Sequence, residues 1–350
     1  MRISEAAALA LATRLLEEHG APRDHAALQA RVLVTAEMKG HPSHGLYRLP
    51  RLVERIERGV IDPQTKGTQR WRADAVLEVE GSSGFGPVVA MAAIERLAPH
   101  IPDLGIGLVA VRNANHLGML AHYVEAIAAM GFVGIALSSS EALVHPFGGT
   151  RAMLGTNPIA IAVPTAEEPL VLDLATSLVP MGRIHHHAAT GRPIPEGWAR
   201  DAAGNPTTDP GRAKAGAIAP FGDAKGYGLG IAMELLVAAL AGSALAPDVR
   251  GTLDSQSPCN KGDVFILIEP SLAPGLPARL STYLDAVCGS PPASAGEPVL
   301  VPGDRARRRR AAASRNGFEI DQRLWEDLNA LSRPRILAFE GQRLCACLPP

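Results

Sequence analysis

The chain has 350 residues, of which 47% are hydrophobic and 20% are charged, and its 34 basic and 35 acidic residues leave a net charge of −1. This composition is that of a soluble protein with a large core, and the length suits about two domains. The balanced charge excludes a strongly basic surface, so neither nucleic acid nor an anionic membrane is expected as a partner.

The first sixty residues are predicted to form three helices. Ser4 is suited to cap the first helix, which ends at Gly20, and Asp24 is suited to cap the second, which ends near Gly40. The third carries apolar residues at helical spacing from Leu49 onward. The beginning of the chain is therefore expected to be helical.

After residue 70 the pattern changes to strands alternating with helices, which favours an α/β fold with a mixed sheet. Strands are predicted at 75–79, 106–111, 132–137, 159–163 and 264–268, and helices at 90–97, 117–130 and 226–241. The stretch 186–220 has no periodic pattern and is interpreted as a long irregular segment with a functional role or a dimer contact. A basic helix is predicted from 305 to 331.

The four cysteines, Cys259, Cys288, Cys345 and Cys347, are few and irregularly spaced. This argues against a disulfide framework and favours a reducing compartment. No second cysteine pair stands at zinc spacing, so no metal site is expected. The N-terminus lacks a signal-peptide pattern, and no apolar run reaches the ~18 residues of a membrane helix, so a cytoplasmic location is expected by default.

The strongest candidate for chemistry is the segment Pro42-Ser43-His44-Gly45-Leu46-Tyr47-Arg48. If Ser43 caps a helical turn, His44 and Arg48 project from one face, four residues apart. A guanidinium can bind a carboxylate through two parallel hydrogen bonds. An imidazole beside it can exchange a proton with the C2 oxygen of a 2-oxo acid as a hydride moves. The alternative is an ordinary pair on a helix surface.

A second candidate, the segment 112–118, lies between a predicted strand and a predicted helix, where α/β folds gather ligands and where free helical N–H groups suit a phosphate. Its His116 is catalytic, cofactor-binding or structural. The glycine-rich segments 146–149 and 154–158 allow a close approach of backbone to a ligand, or are ordinary turns. Asp173, after an apolar run, is suited to bind a ribose, orient a histidine or cap a helix.

Two further features bear on cofactors and metals. Lys225 and Gly226 open a predicted helix and resemble a contact to a phosphate or a nicotinamide, but no G-x-G-x-x-G motif follows the first strand, so the standard Rossmann fingerprint is absent. Consecutive residues do not share a helix face, so the run of three histidines, 185–187, is expected in an exposed loop and not at a metal.

Taken in order, these segments resemble the malate/L-lactate dehydrogenase (type 2) family over nearly the whole chain. That family includes ureidoglycolate, sulfolactate and diketogulonate enzymes, and the reductases of Δ1-piperideine-2-carboxylate and Δ1-pyrroline-2-carboxylate. Each motif is modest alone, but the ordered set is specific. The motifs are Ser43-His44-Gly45, Asn113-Ala114-Asn115-His116, Leu154-Gly155-Thr156-Asn157-Pro158, Pro195-Glu196-Gly197-Trp198-Ala199, Thr207-Thr208-Asp209-Pro210, Lys225-Gly226-Tyr227-Gly228 and Val301-Pro302-Gly303-Asp304.

The resemblance implies an α/β fold whose non-Rossmann nicotinamide-binding sheet is flanked by helices, with a helical N- and C-terminal portion, assembled as a homodimer. We expect a mainly helical domain, 1–75 plus 300–350, that contributes substrate and dimer contacts, and an α/β cofactor-binding domain, 76–299. The implied activity is hydride transfer between NAD or NADP and C2 of a small 2-hydroxy or 2-oxo carboxylic acid. The alternative is a reductase of cyclic ketimines.

The resemblance also implies roles for individual residues. His44 would be the proton donor or acceptor, helped by Ser43, with His116 as second choice. Arg48 would bind the substrate carboxylate, with Thr156 nearby. Met181 and Gly182 would lie at the substrate, in a stretch where many members carry Ala-Arg-Gly-Lys and this chain reads Pro-Met-Gly-Arg. The cofactor would contact His116, Leu117, Gly118, Met119, Leu120, Ser140, Asp173, Leu174, Ala175, Lys225, Gly226, Gly303, Asp304 and Arg305.

Overall fold

The computed structural model describes residues 1–271, 273–294 and 296–331. Cys345, Cys347 and the end of the expected C-terminal segment lie outside these residues. The helices are α1 (Glu5–Glu18), α2 (Arg23–Met38), α3 (Leu49–Glu57), α4 (Gly86–Leu97), α5 (Ile101–Leu104), α6 (Ala121–Ala129), α7 (Met181–Ala189), α8 (Pro210–Lys214), α9 (Ala224–Ala241), α10 (Leu276–Cys288), α11 (Asp304–Asn316) and α12 (Gln322–Leu331). The strands are β1 (Arg2–Ile3), β2 (Thr68–Ala73), β3 (Val76–Glu80), β4 (Ile106–Arg112), β5 (Val133–Ser138), β6 (Ile159–Val163), β7 (Leu170–Leu174), β8 (Ala199–Arg200), β9 (Pro206–Thr207), β10 (Ala217–Ile218), β11 (Gly262–Ile268) and β12 (Phe318–Glu319).

A seven-stranded sheet forms the centre, in the order β2-β3-β4-β11-β5-β6-β7. Within it β3 and β4 pair in parallel, and the other neighbours are antiparallel. This order differs from the doubly wound parallel sheet of Rossmann folds. The expected mixed α/β fold with a non-Rossmann sheet is confirmed, and the predicted strands correspond to β3, β4, β5, β6 and β11.

Alternation along β11 separates two apolar layers. Phe265 and Leu267 face the larger core, which α4 and α6 cover. Val264 and Ile266 face the opposite layer, where Val237 of α9 packs. The central strands are thus covered by helices on both faces, which explains why they read as nearly continuous apolar runs.

A further core joins the two ends of the chain. It is built from α1, α2 and α3 together with Ala313 of α11 and Leu328 of α12. Strand β2, which lies in the stretch assigned to the helical domain, pairs instead with β3 in the central sheet. The division of the chain into two domains stays a prediction.

Several local expectations need correction. Ser4 does cap α1, accepting a hydrogen bond from the Ala7 N–H at 3.2 Å, but Asp24 does not cap α2, whose N-cap is Pro22 without a side-chain hydrogen bond. The carboxylate of Asp24 lies instead 3.4 Å from Lys66 Nζ. The basic tail is not one helix, because Gly317, with a φ of 69°, ends α11 before β12 and α12.

The stretch 186–220 is also not irregular. Strands β8, β9 and β10 form a small antiparallel sheet, and α7 and α8 pack around a separate core that includes Ile184, Ala213 and Ile218. The three consecutive histidines lie on α7 rather than in a loop. The prediction failed because two-residue strands and helices of five and nine residues carry too few apolar positions to show a period.

Helix α9 is long and apolar enough to cross a membrane by length and composition alone, and it is the one such helix within the described ranges. Its Glu234 is buried and accepts hydrogen bonds from Asn157 Nδ2 at 2.6 Å and from the Ala246 N–H at 2.6 Å. This side of the helix therefore packs against the rest of the protein. The opposite side exposes Ile231, Leu235 and Leu236.

Candidate active site

The loop between α2 and α3 carries Ser43, His44 and Arg48. It consists of two short 3₁₀ turns, Pro42–His44 and Leu46–Arg48, so the expected turn capped by Ser43 is wrong. Pro42 occupies the first position of the turn, which fixes its φ, and the hydroxyl of Ser43 lies 3.1 Å from His44 Nδ1. Ser43 therefore contacts the imidazole directly and does not cap a helix.

The Arg48 guanidinium is oriented by its own loop. Its Nε donates to the Ser43 carbonyl at 2.8 Å, and its two terminal nitrogens make no hydrogen bond to the described part of the chain. Burial lowers the pKa of Arg48 to about 10, with the charge of Arg51 adding to this effect and Glu141 opposing it. The group stays charged near neutral pH, with its fork free for a carboxylate.

His116 lies beside His44, with 5.5 Å between the ring centroids and 34° between the ring planes. The chain turns sharply after β4, where Asn113 has a φ of 58°. The Nδ1 of His116 accepts the Gly118 N–H at 2.9 Å, so a neutral ring carries its proton on Nε2. The structure brings together both candidate acid–base residues and Arg48.

Both imidazoles are held in the neutral form. Burial lowers the pKa of His44 to about 3, and the positive charges of Arg48 and His41 add to the shift. Burial also lowers the pKa of His116 far below its usual range, reinforced by Arg48 and His44. Both rings are therefore unprotonated in the free protein, and in His116 the lone pair of Nδ1 is already occupied by the Gly118 N–H.

Arg48 and His116 line one pocket together with Arg51, Arg55 and Thr252. Arg55 is buried and donates to the Asp254 carbonyl at 2.7 Å and to Asn115 Oδ1 at 2.9 Å. It thus ties α3 to the loop after α9 and to the segment before His116. Sequence reasoning missed Arg55, although its spacing of seven from Arg48 places both on one face of a helix.

A second missed residue, Glu141, holds the same loop. Its Oε1 accepts the N–H groups of Thr252 at 2.8 Å and Leu253 at 3.1 Å. Its negative charge also acts on Arg48 and Arg55. Nothing in the local sequence marks this role, because the partners lie more than one hundred residues away along the chain.

The other residues expected at the substrate lie in two places, Thr156 beside Ser140, and Met181 and Gly182 at the start of α7. The Ser140 hydroxyl accepts the Thr156 N–H at 3.1 Å, so these two residues lie together. At the start of α7, Gly182 faces Ser43, since a Cβ at position 182 would come within 2.9 Å of the Ser43 Cβ. Met181 is the first residue of the same helix. The arrangement favours glycine at 182 because a larger side chain would press on Ser43.

Asp173 caps a helix, which is one of its three expected roles. Its carboxylate accepts the N–H of Ala121, the first residue of α6, at 2.8 Å. The predicted helix from 117 begins only here, and its first N–H is already paired and not free for a phosphate. Restricted hydration raises the pKa of Asp173 to about 6, although hydrogen bonds from Ala121 and Leu120 act in the opposite direction.

The start of α11 offers a phosphate-binding geometry. The N–H groups of Arg305 and Ala306 have no acceptor among the described residues, and at Gly303 a Cβ would come within 3.1 Å of the Val171 carbonyl. The Asp304 carboxylate is occupied by Arg307 at 2.6 Å. Free amide groups at the positive end of a helix suit a phosphate.

A cavity of about 330 Å³ adjoins Gly303 and is lined also by Lys39, Arg307 and Arg310. The same lining includes Glu125, Glu167 and Glu168, and Lys39 already donates to the Glu125 carboxylate at 2.6 Å, so the cavity carries no net positive charge. Lys225 is exposed at the start of α9, and its ammonium group makes no hydrogen bond or ion pair within the part of the chain that is described. At Gly226 a Cβ would collide with the Phe221 carbonyl. Among the described residues no three His, Cys, Asp or Glu side chains cluster as metal ligands.

The chain is similar to proteins of one family over nearly its whole length. The family model for malate/L-lactate dehydrogenase matches residues 3–329. An L-sulfolactate dehydrogenase of Methanocaldococcus jannaschii is 37% identical over 91% of this chain and 92% of its own length. A Delta(1)-pyrroline-2-carboxylate reductase 2 of Burkholderia multivorans is 35% identical over 92% of this chain and 95% of its own length. A solved dehydrogenase from Sinorhizobium meliloti is 55% identical with a TM-score of 0.92, covering 95% of this chain and 98% of that chain.

Proposed function

Since the chain belongs to the malate/L-lactate dehydrogenase family, we propose how its side chains divide the reaction and which acids it takes. The protein is an oxidoreductase that transfers a hydride between NAD or NADP and C2 of a small 2-hydroxy or 2-oxo carboxylic acid. The preferred acids are malate-, lactate- or sulfolactate-like. The observation that carries this proposal is the free guanidinium fork of Arg48 beside two neutral imidazoles.

Arg48 binds the substrate carboxylate through its two terminal nitrogens, while its Nε stays on the Ser43 carbonyl. This anchoring fixes the plane of the fork, so that C2 of the acid is presented to the imidazoles. Thr156, Met181 and Gly182 contribute to the walls of the substrate site. A bound NADH or NADPH supplies the hydride.

His44 handles the proton of the C2 oxygen, and Ser43 orients its ring through Nδ1. The neutral ring accepts the hydroxyl proton when a hydroxy acid is oxidised. For reduction the ring must first be protonated, and a bound carboxylate favours this because it compensates the Arg48 charge that lowers the pKa of His44. His116, whose Nε2–H points away from its bond to Gly118, is the second candidate for this role.

NAD or NADP would be held by His116, Leu117, Gly118, Met119, Leu120, Ser140, Asp173, Leu174, Ala175, Lys225, Gly226, Gly303, Asp304 and Arg305. The approach of Gly303 to Val171 and the hydrogen bond between Asp173 and Ala121 support this grouping, since they bring the segments 117–121, 171–175 and 303–305 together. The bound nicotinamide would exchange the hydride with the acid held by Arg48.

We further propose that the protein is a homodimer located in the cytoplasm. Its substrate is a small carboxylate, and neither nucleic acid nor a membrane is a partner. The exposed apolar side chains of α9, Ile231, Leu235 and Leu236, support the dimer. Cys259 and Cys288 are free thiols, which is consistent with a reducing compartment.

The test is a panel of acids assayed by nicotinamide absorbance with each coenzyme. We expect turnover of pyruvate, oxaloacetate or sulfopyruvate, and an increase in KM of about 10- to 100-fold in Arg48→Ala, the size expected for a lost charge-assisted hydrogen bond. Arg70→Ala, at an exposed pair with Glu78 on β3, is the control. Turnover of pyrroline-2-carboxylate alone would favour the ketimine reductase.

A further inference from the structure

The loop between α2 and α3, together with α3 itself, presents three arginines to the same pocket. Arg48, Arg51 and Arg55 all line it, together with His116. Their spacing of three and then four residues places them in a row along one side of a helical segment. None of the residues that line this pocket is an aspartate or glutamate. The pocket wall thus carries an excess of positive charge.

The three arginines differ in what they already bind. Arg55 is saturated at both terminal nitrogens, by the Asp254 carbonyl and by Asn115. Arg48 has its fork free for the carboxylate attached to C2. Arg51 is exposed and makes no hydrogen bond or ion pair with the described residues. After one carboxylate has bound to Arg48, one unpaired guanidinium therefore remains in the pocket.

We propose that Arg51 binds a second acid group of the substrate, so that the enzyme prefers dianionic over monoanionic 2-oxo and 2-hydroxy acids. This inference rests on the proposed function. Arg51 is one helical turn beyond Arg48, where side chains stand roughly 5–6 Å apart at Cβ, so both can reach the two ends of one short acid. The shared chemistry is an anionic oxygen group, a carboxylate or a sulfonate, two or three bonds from C2.

The proposal also accounts for the electrostatics of the site. The charge of Arg51 acts on Arg48 and on His116, so two like charges face each other near the neutral imidazoles. A dianion compensates both charges at once, whereas a monoanion leaves one of them uncompensated. Selectivity follows from that difference and not from the size of the pocket.

The experiment compares four acids with the full-length protein and saturating coenzyme. Oxaloacetate carries a second carboxylate, sulfopyruvate carries a sulfonate, and pyruvate and 2-oxobutyrate carry no second acid group. We expect kcat/KM for at least one dianion to exceed that for 2-oxobutyrate in the wild type. In Arg51→Ala this advantage should fall by about 10- to 100-fold, through KM, while the monoanions change by less than about threefold.

Arg51→Lys keeps the charge and should retain part of the preference, and Arg58→Ala is the matched control. Arg58 lies at the end of α3 and pairs with Glu54 at 2.9 Å on the surface, so its loss should leave all four values unchanged. A comparison of oxaloacetate with sulfopyruvate shows whether the site for the second acid group prefers a carboxylate or a sulfonate.

Three results would overturn the inference. One is equal use of monoanions and dianions by the wild type, and another is an equal loss for both classes in Arg51→Ala. The third is a rise in the KM of the coenzyme alone, which would assign Arg51 to a coenzyme phosphate. Failure of the wild type to reduce any 2-oxo acid with either coenzyme would overturn the proposed function itself, and the inference with it.

Discussion

In the proposed function the chemistry depends on two imidazoles that the fold keeps neutral. His44 and His116 lie side by side near a guanidinium, and both burial and that positive charge lower their pKa values. A neutral imidazole can accept a hydroxyl proton, but holding it neutral lowers the stability of the folded state at low pH. Function and acid sensitivity thus have the same physical origin.

The first prediction concerns acid stability. An unfolded histidine takes up a proton below about pH 6.5, whereas folded His44 does so only near its pKa of about 3. The unfolded state therefore binds more protons within that window, and the free energy of unfolding falls as the pH drops from about 6.5 towards 3. The loss is at most about 1.4 kcal/mol per pH unit for each such histidine.

Urea unfolding at several pH values measures this effect. His44→Gln should reduce the slope between pH 6 and about 4, in line with one proton fewer taken up on unfolding. His186→Gln, at an exposed site on α7, should leave it unchanged. An identical slope for all three proteins would show that His44 is not held neutral.

At this scale the spacing predicted that His44 and Arg48 lie together, but not the geometry in which they meet. His44 and Arg48 were paired by their spacing, and the structure replaces the assumed capped turn with two 3₁₀ turns. Arg55 and Glu141 were not predicted as site residues because their partners, Asp254 and Thr252, are distant along the chain. Local spacing carries no information about such contacts.

Among the elements, α6 shows how a strand and a helix meet at the expected cofactor site. The carboxylate of Asp173 at the end of β7 accepts the N–H of Ala121 at 2.8 Å. Restricted hydration raises its pKa to about 6, so the ionised form that predominates above that pH is less stable in the folded protein than in water. The unfolded state is ionised from about pH 4, and the burial penalty on stability is therefore present above pH 6 and relieved below it.

The second prediction follows from this capping role. Asp173→Asn keeps an acceptor for Ala121 without a charge to desolvate, so Tm at pH 7.5 should stay the same or rise. Asp173→Ala removes the acceptor and should destabilise by about 1 kcal/mol, the usual cost of a lost cap. Thermal unfolding of both variants, with Asp103→Asn at an exposed site on α5 as control, separates the two effects.

A lower Tm for Asp173→Asn than for Asp173→Ala would contradict the capping role. A rise in the coenzyme KM for both variants, with Tm unchanged, would instead assign the carboxylate to the cofactor. The measurement therefore distinguishes two of the roles that were open from the sequence.

Long elements with a clear period were predictable and short ones were not. The apolar alternation or continuity of β3, β4, β5, β6 and β11 located five strands of the sheet. The small sheet of β8, β9 and β10 consists of two-residue strands, which are too short for any period to show. Its core around Ile184 and Ile218 arises from packing between α7, α8 and this sheet.

At the scale of the whole molecule, the outer side of α9 is an exposed apolar surface. Leu235 is 56% exposed, and Ile231 and Leu236 are exposed beside it. One face of this helix is fixed by the buried Glu234 and by Val237. A row of apolar side chains on the other face is typical of a subunit interface.

The third prediction tests this interface. The chain has a mass of 36.7 kDa, and we expect sedimentation at twice that value. Leu235→Glu should shift the protein to the monomer, because a buried unpaired carboxylate is costly. Tyr283→Glu, at an equally exposed apolar site on α10, should remain a dimer. A monomeric wild type at micromolar concentration would contradict the dimer.

The central claim is that His44 exchanges a proton with the acid that Arg48 holds. The most direct test is the steady-state kinetics of His44→Gln beside the wild type and His116→Gln, for reduction of a 2-oxo acid and oxidation of the matching hydroxy acid. We predict a fall in kcat of about 10²- to 10⁴-fold for His44→Gln, with KM changed little. A normal kcat for His44→Gln, with the loss found in His116→Gln, would contradict this assignment.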